Sequence, residues 1–301
     1  MNIGGVICAL LTTHDDSGTR VDAERLKRHV RFLLDRGIHG LFVTGTAGEG
    51  PLLSREERMQ VLSAAVEAAG NRVPVIAHVG HLHTGEAAEL ARHAKNAGAD
   101  AVASVPPYYF PLDDEALYNY FRAVAEAASP LPFYVYNFPD TTNNRIPARL
   151  LRRLAREIPN LKGFKDSSKS LDQFREYLAE TPELDGLIGS DALALQAFQA
   201  GGKGIVSTVA NVFPAEVVRL YEAFRNNDAE QAERCQEFLT EARRALKQGP
   251  YITTYKAALQ LLGQGSFGGV RPPLRPLGDE EWRSLESALA RLHNLPGKVR
   301  T

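Results

Sequence analysis

Lys165 lies in Leu161-Lys162-Gly163-Phe164-Lys165-Asp166-Ser167-Ser168, a short apolar run that ends in a lysine and then in turn formers. Along a strand, side chains alternate between faces, so Leu161, Gly163 and Lys165 share one face and Lys162 and Phe164 the other. A lysine on an inward face is costly unless it is paired or uncharged. The free side chain has a pKa of about 10.4, so roughly one in a few thousand is neutral at pH 7. Burial lowers that value and makes the amine a nucleophile toward ketones. The competing reading is a strand-end lysine that reaches water, and the rest of the chain weighs against it.

Other apolar runs end in residues that could serve such an amine. One leads into Gly45-Thr46-Ala47-Gly48-Glu49, others into Pro106-Pro107-Tyr108-Tyr109, Tyr136-Asn137-Phe138-Pro139, Gly189-Ser190-Asp191 and Ser207-Thr208-Val209-Ala210-Asn211. Imine formation and carbon–carbon cleavage both move protons and need a positioned donor and acceptor, which a hydroxyl and two phenols could supply. The glycines beside Thr46 let backbone N–H groups approach a carboxylate. Each residue alone is better explained by packing, and it is their joint occurrence that carries weight.

The elements that must position them alternate. The spacing predicts strands over Gly5–Leu11, Gly40–Thr44, Pro74–Ala77, Ala101–Val105, Phe133–Tyr136, Leu161–Phe164, Leu187–Gly189 and Gly204–Ser207. Between them it predicts helices over Asp22–Asp35, Ser54–Ala69, Thr84–Ala97, Asp113–Ala128, Pro147–Glu157, Leu171–Glu180 and Asp191–Ala200. Asp22, Ser54, Thr84 and Asp113 read as N-caps, Ser54-Arg55-Glu56-Glu57 as a capping box, and Gly37, Gly70 and Gly98 as helix stops. Eight strands alternating with helical runs, the strands apolar on both faces, argue for an α/β protein with a closed parallel (β/α)8 TIM barrel. Chemistry in such a barrel sits at the carboxyl ends of the strands. A doubly wound sheet is the alternative, but no GxGxxG follows an early strand, and Gly201-Gly202-Lys203-Gly204 lacks the hydroxyl residue of a P-loop. After Asn227 strands cease, and Asp228–Lys247, Tyr251–Leu262 and Asp279–His293 read as helices, with a Gly- and Pro-rich linker over Gly263–Pro276. The expected organisation is a catalytic barrel over 1–227 and a C-terminal helical domain over 228–301 that serves packing and oligomerisation.

Composition excludes several classes. The 301 residues are 44% apolar and 24% charged, as in a soluble globular protein, and the net charge of -1 offers nucleic acid no basic field. No apolar run approaches the roughly 20 residues needed to span a bilayer, so no membrane association is expected. Cys8 and Cys235 form no CxxC motif, and the first residues lack the basic and apolar regions of a signal peptide, so a cytoplasmic protein is expected.

The chain resembles the pyruvate-dependent class I aldolases and lyases, the group of dihydrodipicolinate synthase and N-acetylneuraminate lyase. The resemblance rests on Gly45-Thr46-Ala47-Gly48-Glu49, Pro107-Tyr108-Tyr109, Tyr136-Asn137-Phe138-Pro139, Gly163-Phe164-Lys165-Asp166 and Gly204-Ile205-Val206-Ser207, in the family order. It implies a Schiff base on Lys165, no separate cofactor, and often a homotetramer. It implies that Tyr136 shuttles protons, that Tyr109 reaches across a subunit interface, and that Thr46 links the two phenols. The backbone of Thr46 and Ala47 would hold the pyruvate carboxylate, and Val206 would offer its carbonyl nearby.

Three departures bear on the substrate. Ala47 stands where many members carry a second hydroxyl, and Leu82 where lysine-inhibited synthases often carry asparagine. Thr141 stands where the synthase usually has an arginine for the carboxylate of aspartate semialdehyde, and a threonine makes no bidentate charged contact. Asp191, Ser207 and Thr208, with Gly189 beside them, resemble the pattern of the polyol-binding members, although Asp191 could equally be a helix N-cap. The spacing of His78, His81 and His83 matches no zinc site, so a solvated histidine loop and no metal are expected. The resulting expectation is a lyase that cleaves or forms a 2-keto-3-deoxy sugar acid, with pyruvate and an aldehyde as its small-molecule partners. A sugar-acid dehydratase, dihydrodipicolinate synthase and a non-catalytic keto-acid sensor are the alternatives.

Overall fold

A computed structural model describes residues 3–292. Eight strands form a closed parallel barrel in chain order: β1 (Gly5–Ala9), β2 (Gly40–Val43), β3 (Val75–His78), β4 (Ala101–Ser104), β5 (Phe133–Asn137), β6 (Leu161–Asp166), β7 (Asp185–Ile188) and β8 (Gly204–Ser207). The first and last strands pair through Val6 opposite Ile205 and Ile7 opposite Val206, which closes the sheet and overturns the doubly wound alternative.

Outside the barrel lie α1 (Ala23–Leu34), α2 (Arg55–Ala69), α3 (Thr84–Asn96) and α4 (Asp114–Ala128). They are followed by α5 (Pro139–Thr142), α6 (Ala148–Glu157), α7 (Leu171–Glu180), α8 (Ala194–Gln199) and α9 (Pro214–Arg225). Sequence periodicity missed α5, a single turn, and α9, which opens on proline rather than on a capping side chain. Asp22, Ser54 and Asp113 cap as expected, with the full reciprocal box at Ser54 and Glu57. Thr84 does not: His83 occupies the cap, its ring nitrogen accepting from the Glu86 N–H. The helix expected over Asp191–Ala200 splits into a 3-10 turn at Asp191–Leu193 and then α8, and Ser190 rather than Asp191 holds the cap position.

The chain continues through α10 (Ala229–Ala245), α11 (Tyr251–Leu261) and α12 (Asp279–Leu292), so all three expected helices are present, the last as far as the described residues reach. Among the described residues no helix is long and apolar enough to cross a membrane. Cys8 and Cys235 are both buried and free.

The alternation expected around Lys165 holds. Phe164 packs outward onto Phe174 and Tyr177 of α7. Gly163 faces inward, where a Cβ would stand 2.3 Å from the Tyr134 ring. Tyr134 fills that level of the barrel and donates to Asp185 Oδ2 at 3.0 Å. One level higher, toward the carboxyl ends of the strands, stands Lys165.

Candidate active site

Lys165 is 5% exposed, with Nζ 4.2 Å from the centroid of the Phe42 ring and 3.9 Å from that of Tyr136. The two ring faces attract an ammonium, but that attraction does not replace the water that burial in the barrel removes. Burial therefore lowers the lysine pKa from 10.5 to about 7, against the opposing attraction of the Asp191 carboxylate. At neutral pH a large share of the amine is free to attack a carbonyl.

Tyr136 is buried beside it. Its ring stacks on Phe138 at 5.7 Å and meets the edges of Phe42 and His78. Its hydroxyl accepts from Ser167 Oγ at 3.4 Å and is within hydrogen-bonding reach of Thr46, while burial keeps the phenol well above its ordinary pKa. A phenol held protonated beside a partly neutral amine is a proton donor. Gly189 must be glycine for this packing, because a Cβ there would stand 2.0 Å from Ser167 Oγ and 3.1 Å from Lys165 Cε.

A pocket of about 930 Å³ of empty space, mouth included, opens above Lys165. Thr46, Ala47, Tyr136, Gly189, Asp191 and Val206 line it together with Lys165, so most of the residues singled out in the sequence converge. Asp191 is buried, and its carboxyl is raised to about 6 by that burial, with the Ser207 hydroxyl and Arg243 pulling the other way.

Ser207, Thr141 and His78 stand elsewhere than expected, and Tyr109, expected at a subunit interface, lies outside the pocket of its own chain. Ser207 does not line the pocket, because its hydroxyl is turned to the Asp191 carboxylate and accepts from the Ala210 N–H. Thr141 is exposed on α5 and is not part of the wall. Tyr109 is 76% exposed, takes a φ of 83° and packs edge-on against Phe110, so this chain alone does not bring it to the pocket. His78 is not in a solvated loop: it ends β3, is buried against Tyr136, and its imidazole is held well below its usual pKa by burial, with Arg58 and Lys165 adding to the effect. Among the described residues no cluster of histidine, cysteine and carboxylate side chains is arranged to hold a metal ion.

Sequence reasoning missed one wall entirely. Arg243 of α10, Lys247 just beyond it, and Tyr251 and Tyr255 of α11 all line the pocket, so the C-terminal helices build the site rather than only pack against the barrel. Tyr251 and Thr208 share a hydrogen bond of 3.3 Å across the junction. Lys247 is lowered in pKa by partial burial and by the neighbouring charges of Arg243 and Lys169. Lys169 has Asp140 as an ion partner at 2.6 Å, whereas neither Arg243 nor Lys247 forms an ion pair among the described residues. Their spacing gave no signal of this wall: Arg243 sits in the last turn of an amphipathic helix and Lys247 just past its end.

The carboxyl ends of the strands of a closed (β/α)8 barrel are where such folds carry their chemistry, and here they hold a desolvated lysine beside a buried phenol. The sequence model of the Dihydrodipicolinate synthetase family matches residues 2–292. An uncharacterized DapA-like lyase of Halobacterium salinarum is 43% identical over 97% of this chain and 95% of its own length. The 4-hydroxy-tetrahydrodipicolinate synthase of Methanopyrus kandleri is 36% identical over 98% of both chains. The crystal structure of KD(P)GA from T. tenax superposes with a TM-score of 0.88 at 32% identity, covering 96% of this chain and 99% of that one. The chain belongs to the dihydrodipicolinate synthetase family and is a pyruvate-dependent lyase.

Proposed function

We propose that the protein is an aldolase for a 2-keto-3-deoxy sugar acid, cleaving it to pyruvate and an aldehyde or running the reverse addition. The observation that carries this reading is the polar wall beyond Lys165: Asp191, Thr208 and Tyr251 suit a chain of hydroxyl groups, which needs partners when buried. Arg243 and Lys247, without ion partners, suit a negative charge at the far end of the substrate. The arginine of the synthase is absent, and exposed Thr141 offers no replacement. Arg145, the nearest cation in sequence, is exposed and does not line the pocket.

In this reading the Lys165 amine attacks the C2 carbonyl, water leaves, and the iminium draws electrons from the C3–C4 bond. The C4 hydroxyl loses its proton as that bond breaks, and the aldehyde departs. The resulting enamine takes a proton at C3, and hydrolysis releases pyruvate and free Lys165. Tyr136, linked to Thr46 and Ser167, moves the protons, while the backbone N–H groups of Thr46 and Ala47 hold the C1 carboxylate near the Val206 carbonyl. No cofactor enters this sequence. The proposal also includes a catalytic barrel over 1–227 with a helical domain over 228–301, a cytoplasmic setting, and a homotetramer in which the exposed Tyr109 approaches a neighbouring site.

The test is a panel of 2-keto-3-deoxy acids, with and without a second anionic group, scored for released pyruvate, beside pyruvate plus aspartate semialdehyde. The reading expects pyruvate from the sugar acids and a kcat/KM for the semialdehyde lower by roughly 10–150-fold, the worth of one charged contact. Loss of water without pyruvate release would identify a dehydratase, and an efficient semialdehyde reaction a synthase.

A further inference from the structure

The loop from Thr44 to Glu49 carries Thr46 and Ala47 into the pocket, and both of its ends are strained. Thr44 has a φ of 58° and Glu49 a φ of 56°, left-handed backbone that is costly for non-glycine residues and persists only where surroundings enforce it. At the first end, Thr44 Oγ1 donates to the His78 carbonyl at 2.9 Å, and the buried Arg58 guanidinium grips that same carbonyl at 2.7 Å. At the second end, Glu49 is fully buried, with its carboxylate Oε1 2.7 Å from the ammonium of Lys256 on α11 and Oε2 accepting from the Arg271 N–H at 2.9 Å. His14 accepts from the same ammonium at 3.1 Å, and burial lowers its imidazole to about 4, so His14 is neutral and Lys256 is the countercharge of Glu49.

Lys256 follows Tyr255, which lines the pocket, so one helix turn both walls the site and holds the loop. We propose that the Glu49–Lys256 ion pair is the positioning device for the keto-acid carboxylate site. It clamps the strained Thr44–Glu49 loop to α11, so that pyruvate binding and the seating of the C-terminal helices are one event. Neither residue touches substrate. This goes beyond the aldolase reading, because every reaction of this pocket begins with a keto-acid carboxylate on the loop.

The tests separate positioning from stability. Lys256→Met leaves Glu49 buried and unpaired, so that variant is expected to lose stability as well as function. The double variant Glu49→Gln/Lys256→Met removes both charges and is expected to melt near the wild-type temperature. Its half-saturating pyruvate concentration in borohydride trapping should nevertheless rise about 10- to 100-fold, the range a misplacement near 1 Å can cause, with the trapping rate at saturation within about 3-fold. A double variant that traps pyruvate with wild-type half-saturation overturns the proposal. In the wild-type enzyme, coupling is reciprocal, so pyruvate should slow backbone hydrogen exchange over 251–258 of α11 as well as over 44–50. Protection confined to the loop overturns the proposal without any variant. Failure of the sugar-acid panel, with these results intact, counts against the substrate assignment alone.

Discussion

Replacing Lys165 by methionine should make the protein more stable while abolishing its chemistry. A pKa difference of one is worth about 1.36 kcal/mol. Holding the amine near 7 instead of 10.5 therefore corresponds to about 5 kcal/mol of destabilisation by the charged form, with the attraction to Asp191 already contained in that value. Between pH 7 and 10.5 the unfolded chain binds the proton and the folded one does not, so stability rises with pH across that window. Below it both states are protonated and the cost is fully in force. Methionine keeps much of the volume and packs its thioether against the Phe42 and Tyr136 rings. Unfolding of the wild type and Lys165→Met in denaturant should show the variant ahead by up to about 5 kcal/mol at pH 6, narrowing to about 2 kcal/mol at pH 9. A wild type as stable as the variant at pH 6, or a gap independent of pH, would refute the claim that Lys165 is held in a medium hostile to its charge.

Tyr136→Phe should retain the fold and slow turnover by roughly 10²–10⁴-fold, the contribution of one positioned acid or base, as measured by steady-state pyruvate release. Gly189→Ala pushes a methyl group toward Ser167 Oγ and Lys165 Cε, and should lower the trapping rate at saturating pyruvate by up to about 10²-fold, whereas an unchanged rate would show that the site relaxes without cost. L-lysine should leave the reaction rate unaffected at millimolar concentration, because Leu82 presents an exposed apolar side chain where a lysine-binding amide would be needed; dose-dependent inhibition would contradict this.

The barrel was legible because each strand is short, apolar on both faces and followed by an amphipathic run, a pattern that few folds share. The place of Lys165 in the pocket was legible because the strand period puts it on the inward face at a strand end, whereas Tyr136 and Thr46, the latter in the loop beyond β2, were singled out through the family resemblance. What escaped depends on contacts between elements distant in sequence. Arg243, Lys247, Tyr251 and Tyr255 sit in ordinary amphipathic helices, and nothing in their spacing says that the helices fold back over the barrel mouth. Ser207 was placed at the right strand end, but strand alternation turns it away from the substrate, where Asp191 takes up its hydroxyl. His83 displaced Thr84 as a cap because an imidazole nitrogen accepts a backbone N–H as a hydroxyl oxygen does, an option that cap preferences rank low. His78 was grouped with its loop neighbours, although the strand runs one residue further than its apolar pattern and carries the ring into the core.

Lys165 is expected to form a covalent imine with the keto group of pyruvate. Incubation with pyruvate and borohydride, followed by peptide mass analysis, tests it most directly. Expected is a single adduct, with the mass of pyruvic acid less one oxygen, on the peptide containing Lys165, and none in Lys165→Met. Full trapping elsewhere in the chain, or no adduct while the wild type still releases pyruvate from a sugar acid, would contradict it.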